Sequence, residues 1–228
     1  MKFSNKAYKY LDKLFRNSDY AVAEKQIVSD YLTKQGLAPF EKIIEFQLEY
    51  SGLELTITNK SNSTFSASLF SKKDIKENRA IDKIEINGEL YFHCGEHKTA
   101  QFWFIISSSG KICTKEYDET VNVISSSFEK FIETFAFEDL LKQNVKYEHP
   151  YFYDLIDNVA FKNYTSNYFL HATASDEYTV WLSDLEDNLI IQKGTWYDRP
   201  ESFIHVYGKN RDQCEKFIGQ LKDKKIIA

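Results

Sequence analysis

The chain has 228 residues, enough for one large domain or two small ones, and its 18 Phe and 15 Tyr supply ample material for a core. A formal net charge of −5, with no run of clustered Lys and Arg, speaks against a broad footprint for phosphate backbones, so direct nucleic-acid binding is not expected. Three prolines and eight glycines leave little room for a disordered linker, and three cysteines without a CxxC pair argue against a disulfide scaffold.

Uncharged apolar runs stay well short of the roughly 18 residues that a membrane span needs. The first residues, MKFSNKAYKYLDKLF, carry lysines throughout and lack a continuous apolar stretch, so no secretory signal is expected. A cytoplasmic location and no cofactor are the simplest expectations.

Taken in order, Tyr8, Leu11, Leu14 and Phe15 suggest a short amphipathic helix within Asn5–Arg16. A second follows Asp19, with Val28, Tyr31 and Leu32 on one face and Gly36 as a left-handed cap. Pro39 suits the first turn of a third helix, because its missing N–H would be an orphan there anyway. Phe40, Ile43, Ile44 and Phe46 give that helix its apolar side, and Ser51-Gly52 stops it.

Beyond Gly52 the period changes from about 3.6 to 2. Leu53, Leu55 and Ile57 alternate with polar residues, as do Phe65, Ala67 and Leu69 after the turn cluster Asn59–Ser63. Lys72 to Arg79 reads as a loop or one exposed helical turn. Ile84 and Ile86 lead into Asn87-Gly88, the dipeptide favoured in tight hairpins, with Leu90–Phe92 as the return strand. His93–Lys98 reads as a polar turn.

The run Phe102–Ile106, a serine-rich turn closed by Gly110, the run Lys111–Tyr117 and the piece Val121–Ile124 then complete a meander. Ser126 and Glu129 have capping-box spacing ahead of a helix with Phe128, Phe131, Ile132 and Phe135 on one face. The break in apolar pattern over Lys142–Pro150 suggests a boundary, giving an α+β domain over 1–148 and a C-terminal α+β part over 149–228. The latter starts with the apolar piece Tyr151–Val159. Strand-like runs follow at Tyr168–Thr173, Tyr178–Leu182, Leu189–Trp196 and Phe203–Tyr207. A helix capped by Asn210 closes it, with Cys214, Phe217, Ile218 and Leu221 inward.

Three features occur in one order: Tyr50-Ser51-Gly52 leading into the strand Leu53–Thr58, the strand pair across Phe104–Ile112 with its Gly110-Lys111-Ile112, and Ser127-Phe128-Glu129-Lys130-Phe131-Ile132. Together they resemble the SUKH superfamily over residues 20–142 or so. Ser51 stands where that family often has a first glycine, and Ser109 where an acidic residue is usual. The resemblance implies an antiparallel β-meander flanked by helices, serving as a protein-binding module without catalytic residues. In bacteria many such modules are immunity proteins that cover a toxin, often a nuclease. A regulatory or scaffolding module of the same fold is the alternative. An acidic chain is compatible with a toxin domain of basic surface, because charge complementarity speeds encounter.

Read for chemistry, His93 and His97 flank Cys94-Gly95-Glu96. Imidazole and thiolate are good zinc ligands, so a metal-dependent enzyme using His93 and His97 is a further alternative. A His-x-x-x-His pair meets one ion most naturally on a helix, whereas this segment reads as a turn. Cys113 and Cys214 read as core residues, and the serine runs as turn and cap. The residues singled out for partner contact are the loop-borne Trp196, Tyr197, Asp198 and Arg199, since aromatics and Arg carry disproportionate interface energy. The acidic turns Glu116, Asp118 and Glu119, and Asp184, Glu186 and Asp187, are second candidates for meeting a basic partner.

Overall fold

A computed structural model describes residues 3–57, 63–97, 102–116, 120–144, 147–149, 153–154, 157–186, 188–197 and 201–227. It is mixed α+β with antiparallel strand pairing, and the chain divides into two compact units, 11–123 and 1–10 with 124–228. No helix among the described residues is long and apolar enough to cross a membrane.

The chain enters through α1 (Asn5–Leu11) and reaches the helices of the first unit, α2 (Lys25–Lys34) and α3 (Glu41–Glu49). Helix α2 buries Val28, Tyr31 and Leu32 and ends at Gly36, whose φ is 74°. Helix α3 buries Ile43, Ile44 and Phe46, and with them Gln47. That amide is tolerated because backbone groups satisfy it: its Nε2 donates to the carbonyls of Tyr20 and Phe70, and its Oε1 accepts from Phe70 N–H.

Gly52 must be glycine for two reasons. Its φ is 94°, and a Cβ there would lie 2.4 Å from the Asn17 carbonyl oxygen. The preceding Ser51 is fully buried, its Oγ accepting Leu69 N–H at 3.1 Å and its carbonyl accepting Arg16 Nε at 3.0 Å. A serine at this turn therefore ties down two neighbouring segments.

The sheet of this unit contains β1 (Glu54–Ile57), β2 (Ser63–Ala67), β3 (Lys83–Ile86), β4 (Glu89–His97), β5 (Trp103–Ser107), β6 (Ile112–Lys115) and β7 (Val121–Ser125), in the order β1-β2-β4-β5-β6-β7 with β3 also on β4. Between β2 and β3 lies α4 (Lys72–Glu77), an exposed turn of helix closed by a Ser71–Asp74 capping box. Asn87 and Gly88 both have positive φ (52° and 81°), as the tight β3–β4 hairpin requires.

Strand β4 is longer than its hydrophobic pattern suggests. Its first half takes β3 (Ile84↔Tyr91) and its second half takes β2 (Phe65↔His97, Ala67↔Gly95). The polar turn expected over His93–Lys98 is thus strand through His97, with a register shift between His93 and Gly95 against β5. The bulge accommodates Cys94, which is fully buried. Phe65, Phe92 and Phe104 are also fully buried. Phe92 lies against Phe40 at the start of α3, which identifies the helix-covered side of the sheet.

The second unit has its own sheet. After β7 come α5 (Phe128–Asn144), β8 (Tyr147–Glu148), β9 (Tyr153–Asp154), α6 (Asn158–Tyr164), β10 (Phe169–Leu170), β11 (Val180–Ser183), β12 (Leu189–Thr195), β13 (Ser202–Gly208) and α7 (Arg211–Asp223). The strand order is β10-β11-β12-β13-β8, with β9 also on β13. Phe137 and Leu141 of α5 pack with Trp181, Ile190 and Tyr207 on one face. On the other, Leu182, Ile191, Ile204 and Val206 pack with Phe161 of α6 and with Phe217, Ile218 and Leu221 of α7.

The expected boundary at 148/149 stands beside a division of the chain into compact units at 123/124, and Phe137 and Leu141 of α5 belong to the core of the second sheet. Two expectations change here. The cap of α5 is Ser127, whose Oγ accepts Lys130 N–H, not Ser126 with Glu129. Ser126 and Ser125 instead donate to Asp176. The apolar piece Tyr151–Val159 leads into α6, which Asp157 caps by accepting from Val159 and Ala160 N–H. The Asn210 cap and the buried set Cys214, Phe217, Ile218 and Leu221 of α7 are as expected.

Candidate partner-binding surface

Successive side chains of a strand point to opposite sides of the sheet. With Phe92 and Phe104 turned to the helices, Tyr91, His93, Trp103 and Ile105 belong to the other side of the first sheet. There they form a groove of about 380 Å³ with Ile84 and Lys115. Ile105 is its floor at 3% exposure, Tyr91, His93 and Trp103 are half-buried, and Asp82 and Lys83 stand exposed at its rim. Cross-strand pairing fixes the neighbours: His93 faces Ile105, and Trp103 faces Lys115. Lys115 Nζ lies 5.6 Å from the Trp103 ring centroid, a cation–π distance. Tyr91 Oη donates to Glu89 Oε2 at 3.3 Å.

This is a shallow site that combines two large amphipathic aromatics with charges of both signs. Such a surface contacts a partner well, since Trp and Tyr give large area at small entropic cost. As for the metal reading, His93 and His97 stand four residues apart on one strand, about 13 Å between Cα atoms at strand rise. The side chain of His97 lies outside the described residues. Among the described residues no group of three His, Cys, Asp or Glu side chains is placed to hold an ion.

The residues singled out from sequence fall differently. Trp196 sits in the β12–β13 hairpin, its N–H donating to the Glu201 carbonyl and its ring 4.8 Å from that of Phe203. The Phe203 ring in turn lies over Gly194, where a Cβ would be 2.7 Å away. The indole is thus half-buried in a local aromatic stack. Tyr197 is half-buried too, and burial, with the nearby Glu138 carboxylate and Tyr10, holds its phenol well above the usual range. Asp198 and Arg199 lie outside the described residues.

Glu116 is half-buried, and its backbone N–H closes the β6–β7 turn onto Thr120 O. Asp118 and Glu119 lie outside the described residues. Asp184 is committed to its own turn, with Oδ1 accepting Asn188 and Leu189 N–H. Glu186 is exposed and accepts from Asn188 Nδ2, while Asp187 lies outside the described residues.

The cysteines are buried. Cys94 and Cys113 are held up by desolvation, Cys113 to about 12, and Cys214 is pushed to about 11 for the same reason. Such thiols are poor nucleophiles. The buried His205 is engaged by neighbours: Nε2 lies 2.8 Å from the His149 carbonyl and Nδ1 2.9 Å from Tyr207 Oη. The same Nε2 lies 3.3 Å from Glu148 Oε1.

No protein-family model matches the chain, and neither does a curated protein nor a solved structure.

The groove residues could have been found from sequence. Once Phe92 and Phe104 are assigned inward, alternation alone sends Tyr91, His93, Trp103 and Ile105 to the opposite side. That His93 was strand rather than turn was the missing piece.

Proposed function

We propose that this chain is a non-catalytic protein-binding module which neutralises a bacterial toxin domain by covering it. The observation that carries the binding role is the groove of the first sheet, where Trp103, Tyr91 and His93 surround the apolar floor of Ile105 on the side away from the helices. Its side chains offer contact area and mixed charge, the composition of an interface centre rather than of an acid–base pair. The SUKH-like order of motifs supports a toxin as the partner, and the net charge of −5 favours encounter with a basic one.

The test is co-expression with the product of the neighbouring open reading frame, followed by growth measurement and size-exclusion chromatography. The expected result is rescue of growth and a stoichiometric complex. Trp103→Ala should weaken that complex by about tenfold or more, as for a central interface aromatic, with the thermal midpoint retained. A complex with a harmless partner would turn the reading to a regulatory or scaffolding module. No complex, or one untouched by Trp103→Ala, overturns the groove as its site.

A further inference from the structure

On the face of the second sheet that packs against α6 and α7, β12 places Leu189, Ile191 and Lys193 in one row. The first two are core. Lys193 occupies the next position of that row, paired to Val180 on one side and to the fully buried Ile204 on the other. A lysine at an otherwise apolar position calls for a reason.

Lys193 lines a cleft of about 690 Å³ between α6 and the β10–β12 edge, within the size range of small-molecule sites. Phe161, Leu170, Val180 and Leu182 supply apolar walls, and Tyr168 and Lys162 also border it. Among the described residues Lys193 has no ion-pair or hydrogen-bond partner, and burial alone lowers its pKa. Among the described residues one carboxylate, Asp176, lines the cleft, and it is already saturated. Its Oδ2 accepts from Ser125 Oγ, Ser126 N and Ser126 Oγ, and its Oδ1 from Tyr178 and Thr179 N–H. The cleft thus offers an apolar body and one uncompensated, partly desolvated ammonium.

We infer that the cleft between α6 and the β10–β12 edge binds a monocarboxylate with an aliphatic tail, its carboxylate paired with Lys193. A carboxylate head matches the half-buried Lys193 ammonium, whose cross-strand neighbours Val180 and Ile204 offer it no charge, while Lys162 stands exposed on the cleft border. The tail lies along Phe161, Val180 and Leu182, where burying its methylenes favours binding.

Isothermal titration calorimetry with decanoate, decanol and decyltrimethylammonium, each below its aggregation concentration, tests this. Decanoate should saturate one site. Lys193→Met, which keeps the aliphatic stem, should weaken decanoate by about tenfold or more, the worth of a charged hydrogen bond, and leave decanol unchanged. Decyltrimethylammonium should bind more weakly than either. Ala172→Trp, at an exposed position on the cleft wall, should abolish binding of decanoate and decanol alike while the protein stays folded. No saturable decanoate binding, or equal decanoate binding by Lys193→Met, overturns the inference.

Discussion

The ring of Phe65 occupies the space that a side chain at Gly95 would need: a Cβ built there lies 2.0 Å from Phe65 Cε2. The two residues are on paired strands, Gly95 facing Ala67 and Phe65 facing His97, and the ring also stacks on Phe104 at 4.3 Å. With Phe65 and Phe104 both fully buried, the ring has nowhere to retreat. Gly95→Ala should therefore destabilise the protein by about 1–3 kcal/mol through overpacking, and Phe65→Leu in the same chain should recover part of the loss. Urea unfolding midpoints decide it; a Gly95→Ala protein as stable as the parent would show that the strand pair is looser than described.

Asp176 organises the start of α5. Its carboxylate accepts from Ser125, Ser126, Tyr178 and Thr179, so truncation strands several donors at once. Asp176→Ala is expected to cost about 2–4 kcal/mol, and Ser126→Ala about 1 kcal/mol or less, because the Ser126 backbone N–H keeps its acceptor. Chemical denaturation of both variants gives the comparison, and equal losses would contradict this division of roles.

Glu89 makes a pH-dependent contribution. Its Oε1 accepts from Ser109 Oγ at 2.6 Å, and this bond, the largest cause, holds its carboxyl below the usual range. The acid that Ser109 meets comes from the neighbouring hairpin. Since the folded pKa lies below the unfolded value of about 4.3, the stabilisation is present above that value and disappears as pH falls through the folded pKa. The contribution of this half-buried group should stay under about 1 kcal/mol. Stability measured from neutral pH downward should fall less steeply in acid for Glu89→Gln than for the parent; parallel curves would remove Glu89 from the account.

All three thiols should be silent in the native state. Cys94, Cys113 and Cys214 are buried, and desolvation raises each. Ellman's reagent at mildly alkaline pH should find almost no fast-reacting thiol in the folded protein and three in guanidinium chloride. Native-state labelling should proceed only as fast as local opening allows. One thiol reacting immediately would contradict the burial of that residue.

Local signals were legible because their causes are local. Gly36, Gly52 and Asn87-Gly88 take the positive φ values that their positions in the pattern suggest, and the i, i+3, i+4, i+7 set of α7 is buried as a whole. The strands of the first sheet were likewise visible as turns and alternating runs, apart from the second half of β4. Helix α6 escaped notice because so short an element shows little periodicity, and its formation depends on Phe161 reaching the core between sheet and α7.

What the sequence by itself determined was the set of elements and which of their faces are apolar, since backbone preference and periodicity act over a few residues. Only the tertiary structure decided where those faces went. It set Phe137 and Leu141 of α5 against the second sheet, drew His93 into the strand next to that of Trp103, brought Tyr197 near Glu138, and left Lys193 on an apolar face. Each of these depends on residues far apart in the chain, and a contact across such a distance leaves no periodic trace in either partner.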